Sequence, residues 1–216
     1  SGSKDGTIRI WDVNTGRELS EIDGNGAVRC LAVLPGGNLI ANGAHGELNL
    51  WDEQGRLIRS LPGYNSYDAG DVTAIAVLFE SVVVAGREEG LITLWDTTWG
   101  DFDEINNPSK LVHVRRGDLE DQSTVWALAS LPNKRVVAAD SNGLLEIWRY
   151  DPRTDIPSLA LVCLQTLRGH ARAAFCLAAL PDGRIVSGSM DRTLRFWAPV
   201  GTQIDRGARD APVADL

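Results

Sequence analysis

The stretch LPDGRIVSGSMDRTLRFWA, residues 180–198, decides the fold. It reads as a Pro/Gly-containing turn, a short apolar strand (RIVSGS), a polar turn (SMDR) and a strand that ends in tryptophan (TLRFW). Gly and Asp punctuate it, and Val, Ile, Thr and Phe fill the runs between, which is β-type chemistry. One such phrase is only a meander. Its weight comes from repetition.

TIRIW, ELNLW, LITLW and LLEIW end at Trp11, Trp51, Trp95 and Trp148, as TLRFW ends at Trp197. Alignment on the last four tryptophans needs no gap for 24 residues upstream. There AVRCLAVL (27–34), DVTAIAVL (71–78), TVWALASL (124–131) and AAFCLAAL (173–180) fall in one column. A turn (LPGG, LFES, LPNK, LPDG) and a second strand (NLIANG, VVVAG, RVVAAD, RIVSGS) follow each time. After tryptophan comes a more variable strand: GRELSEI, GRLIRSL, SKLVHVRR, LALVCLQTL. The alternation of TIRIW and ELNLW predicts half-buried strands, and the near-continuous apolarity of AVRCLAVL predicts a strand covered on both faces. Four antiparallel strands per unit, recurring at a period of roughly 40–50 residues, describe a propeller blade. The expectation is an all-β fold of about five blades, with residues 1–216 forming a single propeller.

With these residues in view the chain resembles the WD-repeat β-propeller family. The dipeptide stands as Trp11-Asp12, Trp51-Asp52 and Trp95-Asp96, and becomes Trp148-Arg149 and Trp197-Ala198. The resemblance implies a structural tetrad of His170, Ser187, Asp191 and Trp197, complete only in the last unit. Ser1 and Asp5 match before Trp11, whereas the middle units carry Ala41 and His45, Ala85 and Glu89, and Ala138 and Asn142 at the Ser and Asp positions. The middle blades are expected to keep the packing residue and to lack the hydrogen-bond network.

The first unit begins without an innermost strand, and residues 207–216 are a candidate to supply it. VADL aligns with LAVL, IAVL, LASL and LAAL, placing Val213, Ala214 and Leu216 at inner-strand positions. Pro212 and Asp210 fit poorly, and the gap from the preceding strand is short. Closure by this tail predicts a monomer. The alternatives are a dimer sharing one ring, or a fragment of a larger ring.

A net charge of −8 disfavours nucleic acid and anionic membrane surfaces as partners. No apolar run is long enough to span a bilayer as a helix. Three cysteines without metal-type spacing fit a reducing compartment, so cytoplasm or nucleus is expected. Cys30 and Cys176 share one inner-strand position and read as small core residues. His45, His113 and His170 fall in three different units, with no paired-His, CxxC or calcium-loop spacing. No catalytic residue, metal or cofactor is expected.

What varies between units is the spacer after tryptophan, and loops of uneven length on a rigid repeat are where binding concentrates. PGYNSYDAG (62–70) offers Tyr64, Asn65 and Tyr67 on the face bearing the inner-strand starts. GDLEDQS (117–123) adds Asp118, Glu120 and Asp121, and the polar turns add Glu88 and Glu89, with Arg172 nearby. TTWGDFDEINNP (97–108) places Trp99, Phe102 and Ile105 on the opposite face. Arg29, Thr73, Trp126 and Phe175 share one inner-strand slot. Arg29 there either lines the central channel or pairs with a carboxylate. These features predict a non-catalytic scaffold that docks a protein or peptide, with acidic residues favouring a basic one. The rivals are a ring-shaped enzyme or a carbohydrate-binding propeller with a central pocket.

Overall fold

A computed structural model describes residues 1–61, 70–97, 112–115, 123–151 and 161–198; of His45 and of residues 112–115 only the backbone is described. Among the described residues there are seventeen strands and one 3-10 turn, Ala44–Gly46. They form five antiparallel sheets in chain order. The first pairs β1 (Thr7–Trp11) with β2 (Glu18–Asp23). Residues 1–3 lie along its edge, with a bridge from Gly2 to Ile8 and a bond from the Arg9 amide to the Ser1 carbonyl at 2.8 Å.

Three full blades follow. The second runs β3 (Leu31–Val33), β4 (Leu39–Asn42), β5 (Leu48–Trp51), β6 (Leu57–Leu61). The third runs β7 (Val72–Phe79), β8 (Val82–Arg87), β9 (Leu91–Asp96), β10 (Val112–Arg115). The fourth runs β11 (Val125–Leu131), β12 (Arg135–Asp140), β13 (Leu145–Tyr150), β14 (Leu161–Leu167). The fifth shows three strands among the described residues: β15 (Ala174–Ala179), β16 (Ile185–Ser189) and β17 (Leu194–Trp197).

The core lies between sheets. Leu48 and Leu50 of blade two pack with Val72, Val83 and Trp95 of blade three. Ile92 and Leu94 of blade three meet Val125, Val136 and Trp148 of blade four, and Leu145 and Ile147 of blade four meet Ala174, Ile185 and Trp197 of blade five. Ile8 and Ile22 meet Val28, Ala41 and Trp51 in the same way. Trp51, Trp95, Trp148 and Trp197 thus each fill the joint to the blade before, which is why the repeat ends on so large a side chain. Burying one such ring is worth roughly 1.5–3 kcal/mol or more by area.

Two expectations are corrected. ELNLW was expected to be half-buried, but β5 is buried along its whole length, Asn49 included, because blades flank it on both sides. In AVRCLAVL only Leu31–Val33 pair as a strand. The Asn42 side chain replaces the ladder before it, accepting from the Arg29 and Cys30 amides at 2.7 and 3.0 Å and donating to the Ala27 carbonyl at 2.8 Å. An amide side chain offers both halves of a peptide group, so it can stand in for a strand partner.

Candidate functional site

The inner-strand starts and the polar turns meet on one face, where the turns of blades two and five bond to the entry of their own inner strand and blade four bonds to blade three. The Ala44 amide donates to the Asn25 carbonyl at 3.1 Å, and the Thr124 hydroxyl to the Glu88 carbonyl at 2.8 Å. The Met190 amide donates to the Ala173 carbonyl at 2.9 Å. Hydrogen bonds satisfied across a joint fix the relative position of two loops more sharply than apolar packing does.

Arg29 resolves to the second of its two readings. Its guanidinium reaches Glu88 at 2.8 Å and Asp71 at 3.1 Å, linking blade two to blade three. All three side chains are nearly half exposed, so each pair contributes at most about 1 kcal/mol. Glu88, a candidate binding residue, is therefore already engaged within the fold.

The slot shared with Arg29 lies at a recurrent irregularity. The ladder skips Thr73 between Val72 and Ala74, Trp126 between Val125 and Ala127, and Phe175 between Ala174 and Cys176. A bulge leaves one residue unpaired and re-aims its side chain. Thr73 turns its hydroxyl onto the Gly86 and Val125 carbonyls. Trp126 and Phe175 instead turn toward each other, with ring centroids 5.4 Å apart and planes at 58°. They remain 38% and 47% exposed, an aromatic pair offered to solvent.

Beneath this face lies Arg87, fully buried. Its guanidinium donates to the Gly46 carbonyl of blade two at 2.8 Å and to the Gly70 carbonyl of blade three at 3.1 Å. A side chain at Gly46 would collide with it, since a Cβ there would fall 2.4 Å from Nη1. Desolvation lowers the Arg87 pKa, with the Asp71 charge opposing. Gly70 and Asp71 lead into β7, so Arg87 and Arg29 together hold the entry to blade three. No sequence signal marks Arg87, which reads as part of the polar turn REEG.

In blade five the structure brings His170, Ser187, Asp191 and Trp197 together. The His170 ring lies 2.8 Å from Asp191 through Nδ1 and 2.7 Å from the Ser187 hydroxyl through Nε2, and Trp197 Nε1 donates to that hydroxyl at 2.7 Å. The Thr193 hydroxyl, the Ala171 amide and His170 hold the Asp191 carboxyl well below the ordinary carboxylate range. Blade one keeps the tryptophan–serine bond, and blades three and four do not. Trp11 donates to Ser1 at 2.9 Å, and Trp95 donates to Thr93 at 3.1 Å, a substitute lying on its own strand. Trp148 Nε1 is buried without a partner among the described residues.

Glu89 and Arg172 lie on the same face, Glu89 half-buried and Arg172 exposed, with the Arg172 carbonyl accepting from Ser189 at 3.0 Å. Tyr64, Asn65, Tyr67, Trp99, Phe102, Ile105, Asp118, Glu120 and Asp121 lie outside the described residues, as does the 207–216 segment. Cys30 is largely enclosed, and burial raises its thiol to about 12. Cys176 corrects the reading as a core residue: it is exposed, because no described residue covers the far face of blade five. No group of three or more His, Cys, Asp or Glu among the described residues could hold a metal ion.

Comparisons with known proteins agree with this geometry. A family model for the WD domain, G-beta repeat, matches residues 1–12, 16–52 and 161–198. U3 small nucleolar RNA-associated protein 4 of Schizosaccharomyces pombe is 25% identical over 195 residues, covering 86% of this chain and 25% of its own length. Ribosome biogenesis protein ytm1 of Aspergillus terreus is 34% identical over 119 residues, covering 54% and 23%. Protein transport protein sec13 of Aspergillus fumigatus is 26% identical over 223 residues, covering 90% and 71%. The chain therefore spans about a quarter of the first two relatives and most of the third. Among solved structures, the WD40 beta propeller domain of Doa1 superposes with a TM-score of 0.69 at 20% identity, over 92% of this chain and 59% of that one. With its tryptophan-ended repeats and four-stranded blades, the chain has a β-propeller fold and carries WD-type repeats in the residues that the family model matches.

Proposed function

We propose that the chain, as one propeller unit, is a non-catalytic interaction scaffold that docks an extended segment of a protein partner across the face bearing Trp126 and Phe175. The observation that carries the reading is the exposed aromatic pair, in tilted contact at two adjoining inner-strand bulges. Rigid aromatics in solvent contribute contact area at low entropic cost, the usual chemistry of an interface anchor. By sequence, Tyr64 and Tyr67 precede Gly70, the residue that Arg87 holds, and would add aromatic contact area. Relatives named for ribosome biogenesis and protein transport support work within protein assemblies.

The finer reading is a basic partner. The chain carries −8 overall, and Glu88, Glu89 and Asp71 supply carboxylates at this face, with Asp118, Glu120 and Asp121 adding to them by sequence. Rim charges of this kind steer and orient more than they hold. Selection from a random displayed peptide library tests the proposal. The expected winners are rich in Lys and Arg, and their binding falls about tenfold or more in Trp126→Ser/Phe175→Ser with thermal stability unchanged. Winners that bind this variant as tightly as the parent overturn it.

A further inference from the structure

Blades one to four each end in an outer strand, and three of these strands share one irregularity. The ladder skips Leu19 of β2 between Ile10 and Trp11, Ile58 of β6 between Leu50 and Trp51, and Leu164 of β14 between Ile147 and Trp148. A bulge leaves the extra residue unpaired and re-aims its side chain. Beside the recurrent tryptophan, each of these strands therefore turns a branched aliphatic side chain outward: Leu19, Ile58 and Leu164 are 64%, 49% and 44% exposed.

Blade four differs in what surrounds that residue. The outward edge of a terminal strand is a template on which another strand can pair, and proteins guard such edges with charge. β2 carries Glu18, Glu21 and Asp23, β6 carries Arg59, and β10 carries Arg115. β14, LVCLQTL, carries neither a charge nor a proline. It is also the longest of the four, at seven residues against four to six. Val162 is 40% exposed, Thr166 is exposed as well, and among the described residues no strand lies beyond β14.

We infer that β14 is a dimerisation edge, pairing antiparallel with β14 of a second copy of this chain about a two-fold axis. Charge selects the occupant. A strand paired with its own copy brings like charges together, which destabilises a ladder, so β2, β6 and β10 each repel their copy and β14 does not. A two-fold self-pair also closes on itself, so association stops at two chains. Centred on Leu164, the pair sets Leu164 against Leu164, Val162 against Thr166 and Leu161 against Leu167. The inner strands lie at the opposite edge of each sheet, so Trp126 and Phe175 stay accessible in both copies and the inference stands apart from the docking reading.

Sedimentation of the full chain over a rising concentration series tests this, with a short bis-maleimide as a proximity probe. The mass should double as concentration rises. Val162→Lys/Thr166→Lys, which sets lysine against lysine in the pair, should weaken dimerisation roughly tenfold or more, whereas Leu19→Lys on β2 should leave it unchanged. The two copies of exposed Cys163 become diagonal neighbours roughly 7–8 Å apart, so the linker should join Cys163 to Cys163. A monomer at every concentration overturns the inference and leaves the edge to a strand from another protein. A dimer that the double lysine variant leaves intact also overturns it, as does linking through Cys176 alone, which would assign self-association to blade five. If the double variant fails to fold, Thr166→Lys alone decides by the same measurement.

Discussion

Ser187 sits 2.7 Å from the His170 ring, and the same oxygen accepts the Trp197 indole proton at 2.7 Å. One hydroxyl therefore serves a buried imidazole and a half-buried indole. Ser187→Ala leaves both without it and should destabilise the protein by about 1–3 kcal/mol, the usual cost of stranding a buried polar group. Denaturant unfolding measures this. The matching change in blade three, Thr93→Val, strands only Trp95 and should cost about 1 kcal/mol.

Asp191 gives this network a pH dependence of known sign. Its carboxyl is held below the ordinary range first by Thr193, so it binds fewer protons folded than unfolded. Its contribution is fully present above the unfolded value of about 3.9 and is lost as pH falls through the folded value. The stability gap between the parent and Asp191→Asn should be constant from pH 8 to about 5 and close in stronger acid. A gap that widens on acidification contradicts the assignment.

The two arginines that hold the entry to blade three should respond unequally. Arg29→Ala removes half-exposed ion pairs and should cost under about 1 kcal/mol, and less in high salt. Arg87→Ala opens a cavity and leaves the Gly46 and Gly70 carbonyls without their donor, at a cost of about 2–4 kcal/mol. Arg87→Lys should not rescue, since a single ammonium lacks the fork that spans two blades. Thermal unfolding in low and high salt separates the two cases.

Cys30 should stay unmodified by iodoacetamide at pH 8, because the reactive species is the thiolate and burial holds this thiol near 12. Mass mapping of the labelled chain checks it. Rapid modification of Cys30 in the native protein would mean that the joint between blades two and three opens readily.

Much of this was legible in sequence because the repeat is a packing device. A tryptophan filling each joint forces the same spacing on every blade, so Trp51, Trp95, Trp148 and Trp197 align without gaps. The tetrad residues of blade five could be named for the same reason. Non-local choices were not legible. Whether Arg29 faced the channel or a carboxylate depended on Asp71 and Glu88 of the next blade, and nothing in REEG marks Arg87 as buried. Thr93 took over from the absent serine along its own strand, which alignment by column hides. The exposure of Cys176 follows from what covers blade five, not from its own column.

The account rests most heavily on the face that holds Trp126 and Phe175. A photo-crosslinking amino acid placed at Phe175, or at Asn133 in a turn at the other end of the inner strand, tests it directly when a selected basic peptide is added. Crosslinks formed from position 175 and not from position 133 are the predicted result. Crosslinks from position 133 alone, or equally from both, would contradict docking on this face.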